Sequence, residues 1–134
     1  MIEYVTTTDG LRASQLEGFF VGWPMRPTPA RHLELLRGSE RVVLARDSES
    51  GQIVGFVSAV GDGVVSAFIP FLEVLPAYQL RGIGTELVQR ILEQLGGRYL
   101  VDLVCDEELV PFYERFGMSR GVAMIIRNRS ALAD

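Results

Sequence analysis

The sequence predicts an α+β fold (α/β in the mixed sense). A central mixed, mostly antiparallel sheet is flanked by helices, in the order β-α-α-β-β-β-α-β-α-β. Three observations carry this reading. Three stretches rich in β-branched residues, 41–47, 52–60 and 64–74, follow one another with only short turns between them, which is the pattern of antiparallel neighbours. The third leads through a strongly amphipathic helix into a further apolar stretch, which calls for a right-handed crossover to a parallel strand. Strands and helices do not alternate throughout, so a Rossmann arrangement is excluded.

The elements follow in order. "IEYV" reads as a short first strand, and "LRASQLEGFFVGW" and "TPARHLELLRGS" as two helices. In the second, Thr28 suits the cap, Pro29 the first helical position, and Leu33, Leu36 and the stem of Arg37 line one side, with Gly38 as the stop. His32 is placed on the exposed side of that helix. "DSESG" joins the second and third strands, and "GDG" at 61–63 is the next tight turn. Pro70 lies inside the strand "VVSAFIPFLEV"; a proline cannot donate to a ladder, so a bulge or an unpaired edge is expected there. Leu87, Val88, Ile91, Leu92 and Leu95 recur at helical spacing before Gly96 and Gly97. "YLVDLVC" is a fifth strand. "DEELVPFYERF" is a last helix with Asp106 at its cap and Gly117 at its end, irregular near its start because of Pro111. "GVAMIIRN" reads as a closing sixth strand.

The 134 residues suit one domain spanning 1–134, with 48% hydrophobic and 22% charged residues. A formal net charge of −4 argues against a nucleic-acid partner. No apolar run approaches the length of a membrane span, so no membrane partner is expected. The single Cys105 allows no internal disulfide, and the start lacks a signal-peptide pattern, which together point to a reducing cytoplasmic setting. One histidine is too few for a His-rich metal site, and no metal is expected.

The most informative stretch is "VLPAYQLRGIGTELVQRIL". A strand stops at a proline, two glycines flank Ile83, and a helix begins at once. The first amides of a helix have no internal partner, and the helix dipole adds about half a positive charge there. Gly82 and Gly84 allow close backbone approach, Arg81 adds charge at the rim, and Thr85 can cap or donate. Two readings stand: an anion site for a phosphate, or a tight strand-to-helix turn without a ligand. A Walker A loop is excluded, since no Gly-Lys-Ser/Thr follows, and the dinucleotide fingerprint lacks its third glycine.

Together, "LEVLPAYQLRGIGTELV" and "DEELVPFYERFGM" resemble the GNAT superfamily of acyl-CoA-dependent N-acyltransferases. The first carries the Gln/Arg-x-x-Gly-x-Gly/Ala loop as Gln79, Leu80, Arg81, Gly82, Ile83 and Gly84, and the second the later Phe-Tyr-Glu-x-x-Gly helix. Agreement runs from about Val42 to Asn128, while the first forty residues match only in outline, as the family's variable substrate-side helices. The resemblance implies that the backbone of Leu72, Glu73 and Val74 bonds a pantetheine arm, and that the amides from Leu80 to Thr85 hold a pyrophosphate. It also places Tyr113 near the thioester sulfur and Asp106 at a cap that touches the cofactor, where relatives often carry Asn. Homodimers are common in the family, and the terminal strand offers an edge for one.

Acyl transfer from acetyl-CoA to an amine needs a deprotonated amine, a stabilised carbonyl oxygen and a protonated leaving thiolate. The family's usual course is direct attack in a ternary complex. Tyr113 is the expected general acid, because a phenol stays protonated at neutral pH; its bland alternative is a packing tyrosine beside Phe112 and Phe116. Glu73 either faces the acceptor amine as the base or lies on the solvent side of its strand. Asp102 either points into the cleft or pairs with an arginine such as Arg120. Neither carboxylate is required, since relatives also use water. Trp23 either lines the acceptor pocket or covers the sheet edge. Cys105 reads as a structural, apolar residue.

The expected function is therefore an acetyl-CoA-dependent N-acetyltransferase acting on an amine of a small molecule or a protein. Its alternatives are a non-catalytic acyl-CoA sensor or partner-binding module on the same fold, and another phosphate-ligand binder using the same turn.

Overall fold

The computed structural model describes residues 1–132. Five strands form one sheet in the order β1 to β5: Ile2–Val5, Arg41–Asp47, Ile53–Gly61, Ser66–Val74 and Leu100–Asp102. The first four pair antiparallel, and β5 runs parallel to β4. The expected fold class is thus found: a mixed, mostly antiparallel sheet flanked by helices.

Alternation along the strands separates two cores. Val43, Ala45, Val57 and Ala59 face the helix α2, Ile83–Gln94, whose Ile83, Leu87 and Ile91 are buried against them. A Cβ on Gly55 would lie 3.2 Å from Leu87 and 3.3 Å from Ile83, so the missing side chain lets the helix approach β3 closely. Val42, Leu44, Ile53 and Phe56 face the other way, onto Leu11, Leu16, Phe19, Phe20 and Leu36. That layer includes α1, Pro29–Gly38, where the Thr28 hydroxyl accepts the Arg31 amide at 3.1 Å and caps the helix as expected.

Three expectations are corrected. The stretch 11–23 forms no long helix, only a 3-10 turn at Ala13–Gln15. Gly18 and Gly22 take positive φ, as does Phe20 at 62°, and an α-helix cannot pass through such residues. His32 is not on the surface; it is 1% exposed. "GVAMIIRN" pairs with no strand among the described residues, so the sheet has five strands rather than six. β5 is also shorter than "YLVDLVC".

Other details agree. β4 carries an extra residue opposite Ala59, at Ile69 and Pro70, where a bulge was expected. The last helix starts as a 3-10 turn at Glu107–Leu109 and continues as α3, Val110–Glu114, consistent with Pro111 in its first turn. At the far end of β5, the largely buried Arg98 donates to both Glu40 oxygens and, at 3.0 Å, to the Ser66 carbonyl, tying together the starts of β2, β4 and β5.

Candidate active site

The parallel pair is short. β4 and β5 pair only where Ser66, Ala67 and Phe68 meet Leu100, Val101 and Asp102. Beyond Phe68 the two diverge, and the second half of β4, which includes Leu72, Glu73 and Val74, keeps β3 as its only ladder partner among the described residues. A strand edge left open in the middle of a fold has unpaired peptide groups to offer.

At the end of that edge lies the glycine turn. The Gln79 side chain donates to the Val74 carbonyl at 3.0 Å and anchors the turn to β4. Leu80 and Gly82 both take left-handed backbone, with φ of 64° and 81°. Such a conformation is strained for leucine, and strained backbone gathers at functional positions. Leu80 is fully exposed, and a Cβ on Gly82 would meet nothing within 4 Å. The amides of residues 80–85 have no hydrogen-bond acceptor among the described residues, and no side chain caps α2. A twelve-residue helix therefore presents an open N-terminal end where β4 stops.

Two arginines stand by this turn. Arg81 lies over the Tyr78 ring, 5.0 Å from its centroid. Arg115, at the end of α3, donates to the Thr85 hydroxyl at 2.9 Å and stacks on Phe112. The sequence reading missed Arg115, because its partner is thirty positions away and no local spacing marks the pair. Phe112 is also close to the turn: a methyl group on Gly84 would lie 3.9 Å from its ring and 3.8 Å from Val74. These are ordinary contact distances, so α3, β4 and α2 meet around Gly84 without its glycine being needed for the space.

Tyr113 is the next residue on α3 and is buried. Burial pushes its phenol up to about 12, and the nearby Cys105 adds to the shift. The group therefore stays protonated across the ordinary pH range. Cys105 is half-buried. Asp106 is the backbone cap of the 3-10 turn, and its side chain makes no capping bond.

On the other side of β4, the Glu73 carboxylate accepts the Phe20 amide at 2.8 Å and the Val21 amide at 3.3 Å. Both oxygens are thus engaged by the segment that carries Trp23. The Trp23 ring is 6.1 Å from Phe71 and 5.0 Å from Phe20, and it is 40% exposed. β4 therefore connects the glycine turn at its end with an aromatic wall on its flank. Asp102 is exposed on β5 and does not pair with Arg120; that arginine donates to Glu107 instead.

This constellation of splayed strand, open helix end and aromatic flank can now be set beside known proteins. Residues 8–118 match the acetyltransferase (GNAT) family. The chain belongs to that family. Among solved structures it is similar to an acetyltransferase candidate from Deinococcus radiodurans R1, at 45% identity and a TM-score of 0.94 over 98% of this chain and 92% of that one. It is also similar to a GNAT family acetyltransferase from Streptococcus pneumoniae TIGR4, at 31% identity and a TM-score of 0.76 over 96% and 99%. Among curated proteins it is 31% identical, over 83% of its own length, to GCN5-related N-acetyltransferase 1, chloroplastic, from Arabidopsis thaliana. It spans 58% of that relative's length. In this GNAT chain no three His, Cys, Asp or Glu side chains are grouped to hold a metal among the described residues.

Proposed function

We propose that the protein transfers an acetyl group from acetyl-CoA to an amine of a small molecule or a protein, by direct attack in a ternary complex. The observation that carries this is the set of unbonded amides at 80–85 beside two arginines. An anionic diphosphate supplies the acceptors that these donors lack, and the helix end favours its charge. The site fits the group chemically: Gly82 leaves room, and Arg81 and Arg115 flank the turn. The open edge of β4 at Leu72, Glu73 and Val74 receives the extended pantetheine arm by backbone bonding. Asp106 stands at the start of the last helix, within the cofactor's reach in this reading.

When bound, the thioester supplies an activated acetyl carbon and a thiolate leaving group. The chain's own residues do the rest. β4 and the turn fix the direction of approach, and that positioning carries much of the rate. Tyr113 donates its phenolic proton to the departing sulfur, a role that its raised pKa keeps available. Trp23 and Phe71 line the acceptor side. Glu73 has both oxygens committed to the Phe20 and Val21 amides, so its part is to position the Trp23 segment; to act as the base it would have to release those bonds. Asp102, exposed and unpaired with Arg120, remains a candidate base beside solvent water. A cytoplasmic setting belongs to the same proposal.

The experiment is an acetyl-CoA thiol-release assay across an amine panel, with thermal shift in parallel. Turnover with at least one amine is expected. Stabilisation by CoA without turnover of any amine would favour the non-catalytic sensor. No response to either removes the transferase reading.

A further inference from the structure

One cavity shares no residue with the glycine turn. It measures about 290 Å³ and is lined by Trp23, Pro24, Met25 and Leu132 together with Arg127 and Arg129. Two distant segments build it. The first is held to β4: the Glu73 carboxylate accepts the Phe20 and Val21 amides, and the Trp23 amide donates to the Phe20 carbonyl at 3.2 Å. The second lies near the end of the chain. There Arg129–Leu132 form a 3-10 turn, and the Ala131 amide donates to the Asn128 carbonyl at 3.0 Å. Residues three apart in such a turn lie on one side, which sets Arg129 and Leu132 together against the Trp23 segment.

The chemistry of its walls is divided. Trp23, Pro24, Met25 and Leu132 offer apolar surface, and Trp23 and Met25 are open enough to receive a ligand, at 40% and 41% exposed. Among the described residues no Asp or Glu lines the cavity, so in a chain of formal net charge −4 it is locally cationic. Arg127 donates only to the carbonyl of its neighbour Ile126, at 3.3 Å, and neither arginine makes a salt bridge among the described residues. Each guanidinium therefore has donors left for a carboxylate. The cavity also shares Trp23 with the acceptor side of β4, through the contact of that ring with Phe71 at 6.1 Å.

We infer that the acceptor is a small amine of amino-acid type, bearing an apolar side chain and a carboxylate, and that Arg127 and Arg129 select it by that carboxylate; this rests on the acetyl-transfer reading. The side chain lies on Trp23, Met25 and Leu132, and the amine is the group left to face Phe71 and β4. Size agrees, since the cavity is just below the ~300–1,000 Å³ of drug-sized sites. Polyamines and lysine-rich peptides are rejected, because their further positive charges meet two arginines and no carboxylate. With one arginine charge left over after the carboxylate is paired, the ammonium is also easier to deprotonate. It loses one proton to water, and the neutral nitrogen bonds the acetyl carbon as the carbon–sulfur bond breaks. The second proton lost from nitrogen balances the one that Tyr113 gives to sulfur, so the phenol is restored.

The test compares kcat/KM of the full chain for L-phenylalanine and phenethylamine, and for L-tryptophan and tryptamine; within each pair only the carboxylate differs. The amino acids should be preferred by about tenfold or more. In R127A/R129A that preference should shrink to within about threefold of unity, a ratio that also corrects for the different basicity of the two amines. Preference for the neutral amines, or a ratio unchanged in the variant, overturns the inference while acetyl transfer stands. If no amine is turned over, the acetyl-transfer reading fails instead. Calorimetry with N-acetyl-L-tryptophan against N-acetyltryptamine then decides the cavity by itself: tighter binding of the first upholds a carboxylate site, and equal or undetected binding overturns it.

Discussion

Glu73 and Phe20 are 53 positions apart in sequence and 2.8 Å apart in space, carboxylate to amide. With the Val21 amide on the other oxygen, this bond fixes the Trp23 segment against the strand that ends in the glycine turn. Acceptor side and cofactor side of the proposed site therefore share one strand. Hydrogen bonds to a charged group contribute about 1.5–3 kcal/mol. Glu73→Ala should raise the acceptor KM by roughly tenfold while acetyl-CoA affinity stays within a factor of three. Steady-state kinetics with each substrate varied in turn read this directly. A fall in kcat alone, with KM unchanged, would instead mark Glu73 as the base.

Tyr113→Phe removes the proposed proton donor and little else, because the ring stays packed beside Phe112 at 4.9 Å between centroids. Turnover is expected to fall by about a hundredfold, with acetyl-CoA affinity nearly intact. The folded-state pKa, pushed up to about 12, keeps the phenol protonated as pH rises. The wild-type kcat profile should therefore show no loss from this group below about pH 11. Equal loss of binding and turnover in the variant would remove the acid assignment.

Arg115 is bonded to Thr85 at the start of α2, within reach of an anion on the open amides. Arg115→Ala should weaken acetyl-CoA binding by about fivefold, in keeping with one partly screened charge. The salt dependence of that binding should become shallower. Calorimetry at two ionic strengths checks both. An unchanged Kd and salt slope would leave Arg115 with a packing role on Phe112 only.

His32 is buried among Phe19, Phe20 and Phe56, and neither ring nitrogen has a hydrogen-bond partner among the described residues. Burial lowers its pKa from 6.5 to about 4. The unfolded chain takes up a proton below the ordinary value, and the folded chain does so only near the lowered one. Stability should accordingly fall as pH drops between these two values, by roughly 3 kcal/mol in all. His32→Phe should remove that part of the pH dependence and cost little at neutral pH. Denaturant unfolding of both proteins from pH 4 to 7 tests it, and identical slopes would refute the assignment.

The sequence discloses the parts of the fold that local pattern controls. The runs of β-branched residues in 41–47 and 52–60 mark β2 and β3 closely, and the 3.6-residue repeat through Leu87, Val88 and Ile91 marks α2. It fails where tertiary context decides. In 11–23 the apolar residues Leu11, Leu16, Phe19 and Phe20 are all core, yet Gly18 and Gly22 turn the chain at positive φ, so the pattern located the core but not its shape. His32 shares the buried face with Leu36, but nothing local in the helix gives a sign that three phenylalanines from other segments will enclose a histidine. "GVAMIIRN" has the composition of a strand, and composition alone does not say which edge a strand joins. The glycine turn was legible because its demands are local; the Arg115–Thr85 and Glu73–Phe20 bonds were not, because each spans thirty or more positions.

The most direct test is an amide-resolved NMR titration of the full chain with CoA. The largest shifts are expected at the backbone amides of residues 80–85, absent when pantetheine without its diphosphate is added instead. Equal responses to both ligands, or shifts confined to other parts of the chain, would contradict a diphosphate site at the head of α2.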